Sequence, residues 1–172
     1  MRRDFLKLCG MVGLGFPEAF GVTGDGSVVV GAGSLGGSVT QAFRWTSGGG
    51  MVGLGDLPGG LFESFPYDVS GDGSIVVGYG TTASGTEGFL WTIDGGMERL
   101  WDVLLAQGVD PAADGWTELA AASGISADGN TIVGWGTRND NTEAFVAVVP
   151  EPAGLALLVA SGALAVRRRR RD

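Results

Sequence analysis

The 172-residue chain contains no histidine. That excludes Ser-His-Asp and Cys-His catalysis and the usual imidazole metal site. A single cysteine, Cys9, permits no intramolecular disulfide. Basic residues are nearly missing from the middle: from Leu8 to Pro150, three arginines (Arg44, Arg99, Arg138) face 16 acids, a net charge of −13. A surface of that sign repels nucleic acid and anionic lipid headgroups, so no nucleic-acid partner is expected. The other eight bases sit at the two ends, which brings the whole chain to −8. Glycine, by contrast, is abundant, with 33 residues, while apolar residues stay at 44%. That mixture is not the composition of a disordered chain. It reads as one domain of short strands joined by tight glycine turns.

A repeat organises the middle. Gly24-Asp25-Gly26-Ser27-Val28-Val29-Val30-Gly31 returns as Gly71-Asp72-Gly73-Ser74-Ile75-Val76-Val77-Gly78, and again as Ala127-Asp128-Gly129-Asn130-Thr131-Ile132-Val133-Gly134. Phe43-Arg44-Trp45-Thr46 returns as Phe89-Leu90-Trp91-Thr92 and decays to Phe145-Val146-Ala147-Val148. Met11-Val12-Gly13-Leu14, Met51-Val52-Gly53-Leu54 and Met97-Glu98-Arg99-Leu100 form a third set. The period is 47 residues from Asp25 to Asp72 and stretches to 56 from Asp72 to Asp128. The stretch is an insertion, and Glu98 to Gln107 within it reads as a short helix with Leu100, Val103 and Leu104 on one face and Gly108 at its end.

Each unit holds four β-type pieces, in the second about 51–54, 67–70, 75–79 and 88–92. Asp-Gly between the middle pieces predicts a two-residue hairpin turn with positive φ. Phe89 and Trp91 alternate with Leu90, so both aromatics share one strand face. Four-stranded antiparallel meanders repeated every 40 to 50 residues predict an all-β, propeller-like array of about three blades. The units run over about 11–50, 51–96 and 97–149. Three blades fall short of the roughly four that close a propeller. A fragment of a longer repeat protein, an open stack or half of an oligomer all remain open.

Phe43-Arg44-Trp45-Thr46, Gly53-Leu54-Gly55-Asp56-Leu57-Pro58-Gly59-Gly60, Val69-Ser70-Gly71-Asp72-Gly73-Ser74 and the stretch from Trp116 to Gly129 resemble the HAF repeat family of exported bacterial proteins. Both chain ends resemble addresses. Pro150-Glu151-Pro152, the uncharged apolar run 153–166 and Arg167, Arg168, Arg169, Arg170 and Arg171 resemble, in that order, the PEP-CTERM sorting signal. The resemblance implies recognition by an exosortase, cleavage near Pro150–Pro152 and release to the cell surface or extracellular matrix. The run 153–166 reads as a hydrophobic helix stopped in the inner membrane by the arginines. Its 14 residues make about 21 Å of helix, a short span that snorkelling arginines and a thinned bilayer accommodate. Arg2-Arg3-Asp4-Phe5-Leu6-Lys7 resembles the twin-arginine export signal, with Arg2, Arg3, Phe5, Leu6 and Lys7 carrying the match in a segment, 1–16, that overlaps the first repeat.

Several signals mimic chemistry. Gly31-Ala32-Gly33-Ser34-Leu35-Gly36 after a valine strand, with Asp56 20 residues beyond, has the spacing of a dinucleotide fingerprint. Strand-like residues follow the third glycine where a helix should begin, which favours a repeat feature. Asp68 and Asp72 are the carboxylate pair to consider for acid–base hydrolysis, although acids beside glycines commonly form turns. Asn139, Asp140, Asn141 and Glu143 are the best local oxygen-ligand set for calcium, without matching an established calcium loop. Trp45 and Trp91 read as core. Tyr79 and Trp135 either pack between blades or present faces of the kind that bind sugars.

These features lead to an exported, surface- or matrix-associated β-repeat protein. Its expected role is non-catalytic binding or structure, with exopolysaccharide as partner and no catalytic residue or cofactor assigned. The alternative is a secreted carbohydrate-active hydrolase on the same scaffold, recognisable by a convergent acid pair.

Overall fold

The structure is a computed structural model that describes residues 15–36 and 39–149. Among these residues, eleven strands make three antiparallel sheets. The first sheet holds β1 (Gly15–Val22), β2 (Val28–Gly36), β3 (Val39–Thr46) and β4 (Gly50–Gly53) in chain order. The second repeats the pattern with β5 (Ser64–Val69), β6 (Ile75–Thr82), β7 (Gly85–Thr92) and β8 (Gly96–Arg99). The third holds β9 (Trp116–Ile125), β10 (Thr131–Arg138) and β11 (Asn141–Val148). Each sheet is therefore a meander, and the strand 50–53 closes the first sheet instead of opening the second. The loop Ser47-Gly48-Gly49 is too short to let it leave β3, and Thr46 Oγ1 accepts from Gly49 N at 3.0 Å to tighten that loop. The third meander has three strands among the described residues, one fewer than the repeat predicts.

The helix predicted within 98–107 is α1 (Leu100–Ala106), with Leu100 and Leu104 buried. Gly108 follows it at φ 80°. A 3-10 helix (Pro111–Asp114), which no periodicity announced, is capped by Asp110 accepting from Ala112 N at 3.0 Å. No helix among the described residues is long and apolar enough to cross a membrane. The apolar run 153–166, the sorting-signal residues Pro150 to Arg171 and the twin-arginine segment lie outside the described residues.

The sheets stack through two cores. Val28, Val30 and Ala42 of the first sheet pack against Val76, Phe89 and Trp91 of the second, with Leu54 and Leu57 between them. On the opposite face of the second sheet, Ile75, Val77 and Leu90 meet Ile132, Phe145 and Ala147 of the third, together with Leu100 and Leu104 of α1. The alternation of Phe89 and Trp91 with Leu90 thus feeds two different cores, as strand geometry requires. The apolar run of the middle sheet, Ile75-Val76-Val77, is buried on both faces, which explains its continuous Val/Ile character.

One glycine recurs for steric reasons. A Cβ on Gly31 would lie 2.0 Å from Glu18 O and 2.6 Å from Phe43 Cζ; at Gly134 the distances are 2.1 Å to Ala121 O and 2.5 Å to Phe145 Cζ. Gly78 is the same, 2.0 Å from Phe65 O. The neighbouring first strand bulges toward this position in every sheet, and the bulge leaves no room for a side chain. Gly31 to Gly36 of the apparent fingerprint are accordingly all strand, and the next described residues, Val39–Thr46, are strand as well.

Candidate functional site

The repeated Asp-Gly turns come first because they account for most of the conspicuous acids. The hairpin loop is longer than a two-residue turn, and Asp25, Asp72 and Asp128 do not have positive φ; only Gly26, Gly73 and Gly129 do, at 72°, 73° and 77°. Gly73 N donates to Ser70 O at 2.9 Å, and the Asp72 carboxylate accepts from Ser70 Oγ at 2.7 Å and from Ser74 N at 2.9 Å. Ser70 Oγ in turn accepts from Ile75 N at 3.0 Å. Thr23-Asp25-Ser27-Val28 and Ser126-Asp128-Asn130-Thr131 repeat the same network. These hydrogen bonds hold all three carboxyls below the usual aspartate range. Asp25, held chiefly by Ser27 N and then Thr23 Oγ1, is lowered to about 2. The carboxylates act as turn anchors.

The pair Asp68 and Asp72 is not assembled as an acid–base couple. Asp68 accepts from Val69 N at 2.8 Å and from Ile125 N at 3.0 Å, tying the second sheet to the third. Asn139 and Asp140, from the calcium candidates, form the two-residue positive-φ turn joining β10 to β11, at φ 47° and 62°. Glu143 pairs with Arg138 at 3.3 Å, and Asn141 Nδ2 bonds to Asn139 O at 2.8 Å. Among the described residues no group of three or more acids or cysteines is placed to hold a metal ion.

The arrangement best suited to a ligand lies where the first two sheets meet. Glu18 and Phe20 of β1, Ala32, Gly33 and Ser34 of β2, Thr40 of β3 and Phe65 of β5 line a cleft of about 200 Å³. Phe65 stacks on Tyr79, with centroids 5.1 Å apart and planes at 13°, and Tyr79 packs against Tyr67 at 5.5 Å. Phe20, Phe62 and Tyr67 remain exposed. Burial raises the Tyr79 hydroxyl above its ordinary value, with Tyr67 and the carboxylate of Glu63 adding to the effect. β5 positions this cluster: Pro66 sits at a bulge that shifts the register between Pro66 and Asp68 and turns the Tyr67 side chain outward.

A second pair of acids adjoins the cluster. Asp56, in the loop between β4 and β5, is raised above the usual aspartate range, first by burial and further by the carboxylate of Glu63, against the pull of the Leu57 and Glu63 N–H groups. Its Oδ1 is buried without a hydrogen-bond partner. Glu63 is anchored beside Thr40 by a backbone bridge, and its carbonyl accepts from Thr81 N at 3.1 Å. The sequence pointed to Asp56 through the spacing of a dinucleotide fingerprint and within the HAF-like stretch 53–60, in neither case as one of an acid pair, and Glu63 carried no signal. A 22-residue separation of contacting β3 and β5, sealed by Ser64 Oγ between Ala42 N (3.0 Å) and Gly55 O (2.7 Å), brings the loop to the cleft.

Of the two aromatics singled out as possible sugar contacts, Tyr79 is half-buried in the stack, whereas Trp135 stands exposed on the third sheet. Trp91 is buried and Trp45 half-buried. A larger, mostly apolar pocket of about 280 Å³ lies between α1, β8 and Gly129, with Thr92, Asp94, Glu98 and Gln107 on its wall and no aromatic side chain in its lining.

No family model and no curated protein matches the sequence. Among solved structures, the fold is similar to that of TolB from Acinetobacter baumannii, with a TM-score of 0.53 and 14% identity over 83% of this chain and 32% of that one. The chain thus spans about a third of that structure's length, and at this identity the likeness concerns the mostly β fold alone.

Proposed function

We propose that the chain is an exported β-repeat protein of the HAF type, built of propeller-like blades, that binds glycan without transforming it at the cell surface or in the extracellular matrix. The aromatic cleft between the first two sheets carries this reading. A sugar ring presents an apolar C–H face and a polar rim. Phe20 and Phe65 of the cleft, with Tyr67 exposed beside the Phe65–Tyr79 stack, offer flat apolar surface, and Glu18, Ser34 and Thr40 offer hydrogen-bonding groups around it. An acidic domain with no basic cluster suits a neutral glycan. Export rests on the two terminal segments: the twin-arginine-like residues Arg2 to Lys7 send the chain out, and 150–172 holds it transiently in the inner membrane until an exosortase cuts near Pro150–Pro152.

Affinity electrophoresis through gels containing exopolysaccharide tests the role. Wild type is retarded, and Phe20→Ala with Tyr67→Ala weakens retention about tenfold, the equivalent of about 1.4 kcal/mol. Equal mobility with and without the polysaccharide sinks the proposal.

The hydrolase reading keeps one specific support, the Asp56–Glu63 pair with its raised carboxyl beside a sugar-sized cleft. It requires new reducing ends to appear from the bound polysaccharide, and Glu63→Gln to abolish them. Binding that persists with no release of reducing ends decides for the non-catalytic role.

A further inference from the structure

The two packed junctions follow one rule. In each, the face of a sheet bearing the first and third residues of the valine strand is covered by the opposite-parity face of the next sheet, Val76, Phe89 and Trp91 in one junction and Ile132, Phe145 and Ala147 in the other. Val77 and Leu90 of the second sheet are 0% and 4% exposed beneath the third. Their repeat equivalents on the third sheet, Val133 and Val146, are 41% and 71% exposed, and Trp135 and Val148 beside them are open as well. Val133 pairs with Val146 and Thr131 with Val148, so this is one continuous apolar patch, with Glu118 at its far edge beside Thr137.

The complementary surface lies at the opposite end of the stack. Val76, Trp91 and Met97 form the covering face of the second sheet, in cross-strand register. Val29, Trp45 and Met51 of the first sheet are the same residues in the same register. There they are only half-buried, and Val22, paired with Val29, is exposed. The turn glycines repeat the asymmetry. A Cβ on Gly73 would meet Val28 Cγ2 of the preceding sheet at 2.5 Å and one on Gly129 would meet Ile75 Cδ1 at 2.9 Å, whereas one on Gly26 would meet nothing within 4 Å. Gly26 is a contact surface with no contact among the described residues.

We propose that a second copy of this chain covers the open face of the third sheet with its own first sheet, head to tail, so that two copies join through two equivalent junctions into a ring of six sheets. The rule that joins the first sheet to the second and the second to the third then continues across the copies, with Gly26 of one copy over Thr131 of the other. Interfaces of this heterologous kind close when the rotation allows. Charge limits where two copies can meet, since their like net charges repel everywhere except across apolar faces. From Leu8 to Pro150 each copy carries −13, and the two faces are where apolar, uncharged residues meet, so the contact buries no like charges. The inference is independent of glycan binding, because the aromatic cleft lies inside one copy between its first and second sheets.

The test uses the full chain in mild non-ionic detergent, with protein mass from light scattering. Wild type is expected at two copies of 17.5 kDa. Val22→Lys and Val146→Lys each place a cation on an exposed position of one face, where folding tolerates it and an apolar junction does not. Each variant alone is expected at the single-copy mass with an unchanged circular dichroism spectrum. Mixed in equal amounts, they recover the two-copy mass as an open pair, because the third sheet of Val22→Lys and the first sheet of Val146→Lys are both intact and form one junction. A wild type at single-copy mass overturns the proposal. So does a two-copy Val22→Lys beside a single-copy Val146→Lys, the pattern of third sheets meeting each other. Glycan retention of the same variants, expected to match wild type, keeps this result separate from the binding role.

Discussion

Ser70 donates its hydroxyl to the Asp72 carboxylate at 2.7 Å and accepts from Ile75 N at 3.0 Å, so one buried oxygen links the turn's charge to the first residue of the strand. Thr23 with Asp25 and Ser126 with Asp128 stand in the same relation. A carboxylate held in this way stabilises the hairpin only while it is ionised.

Acid therefore loosens all three turns together. The folded-state values of Asp25, Asp72 and Asp128 lie below the ordinary 3.8. Their contribution is fully present above that value and is lost as pH falls through the depressed one, which for Asp25 is about 2. The melting temperature is expected to fall from pH 4 to pH 2, and to fall less steeply when all three aspartates are replaced by asparagine. Equal slopes in the two proteins rule the anchors out.

Ser70→Ala removes the buried oxygen and leaves Ile75 N–H without a partner. A buried donor stranded in this way costs about 1–3 kcal/mol, to be read from urea unfolding. Thr23→Ser retains the hydroxyl and is expected to unfold close to wild type.

Gly78→Ala forces a methyl against Phe65 O, where the free distance is 2.0 Å, and is expected to destabilise by about 3 kcal/mol. Gly48→Ala serves as the comparison, since a Cβ there meets nothing within 4 Å. That change is expected to stay within about 0.5 kcal/mol of wild type.

Asp56 has the opposite sign. Its carboxyl is raised by burial and by Glu63, so the folded state favours the protonated form, and stability is lost as pH rises through the raised value. Asp56→Asn removes the charge and keeps the shape. Its melting temperature is expected to exceed that of wild type at pH 7 and to match it at pH 4. A variant less stable at pH 7 overturns this account of the loop.

Much of the fold was legible because local rules agree with one another. The valine runs, the Phe-x-Trp alternation and the 98–107 helix all lie where the periodicity put them, since strand and helix periods are set by the backbone. The turn type was not legible. Asp-Gly suits a two-residue positive-φ hairpin, but hydroxyls two residues before each aspartate recruit its carboxylate and hold it out of the left-handed region. The two-residue turn with positive φ at both positions is Asn139-Asp140, residues that composition alone offered as calcium ligands. The Asp56–Glu63 pair was equally hidden, because the loop that carries it reaches the cleft only through the Ser64 bridge between sheets.

By itself the sequence determined the repeat, the strand content, the acidic middle and the lack of imidazole chemistry, since each is a property of composition or of spacing along the chain. Only the tertiary structure decided that the strand 50–53 closes the first sheet, that Phe20, Phe65, Tyr67 and Tyr79 converge, and that Val146 is exposed where Leu90 is buried. Repeat-equivalent residues carry the same local instructions. What separates their fates is whether a neighbouring sheet lies against them, and that is a contact between residues far apart in the chain.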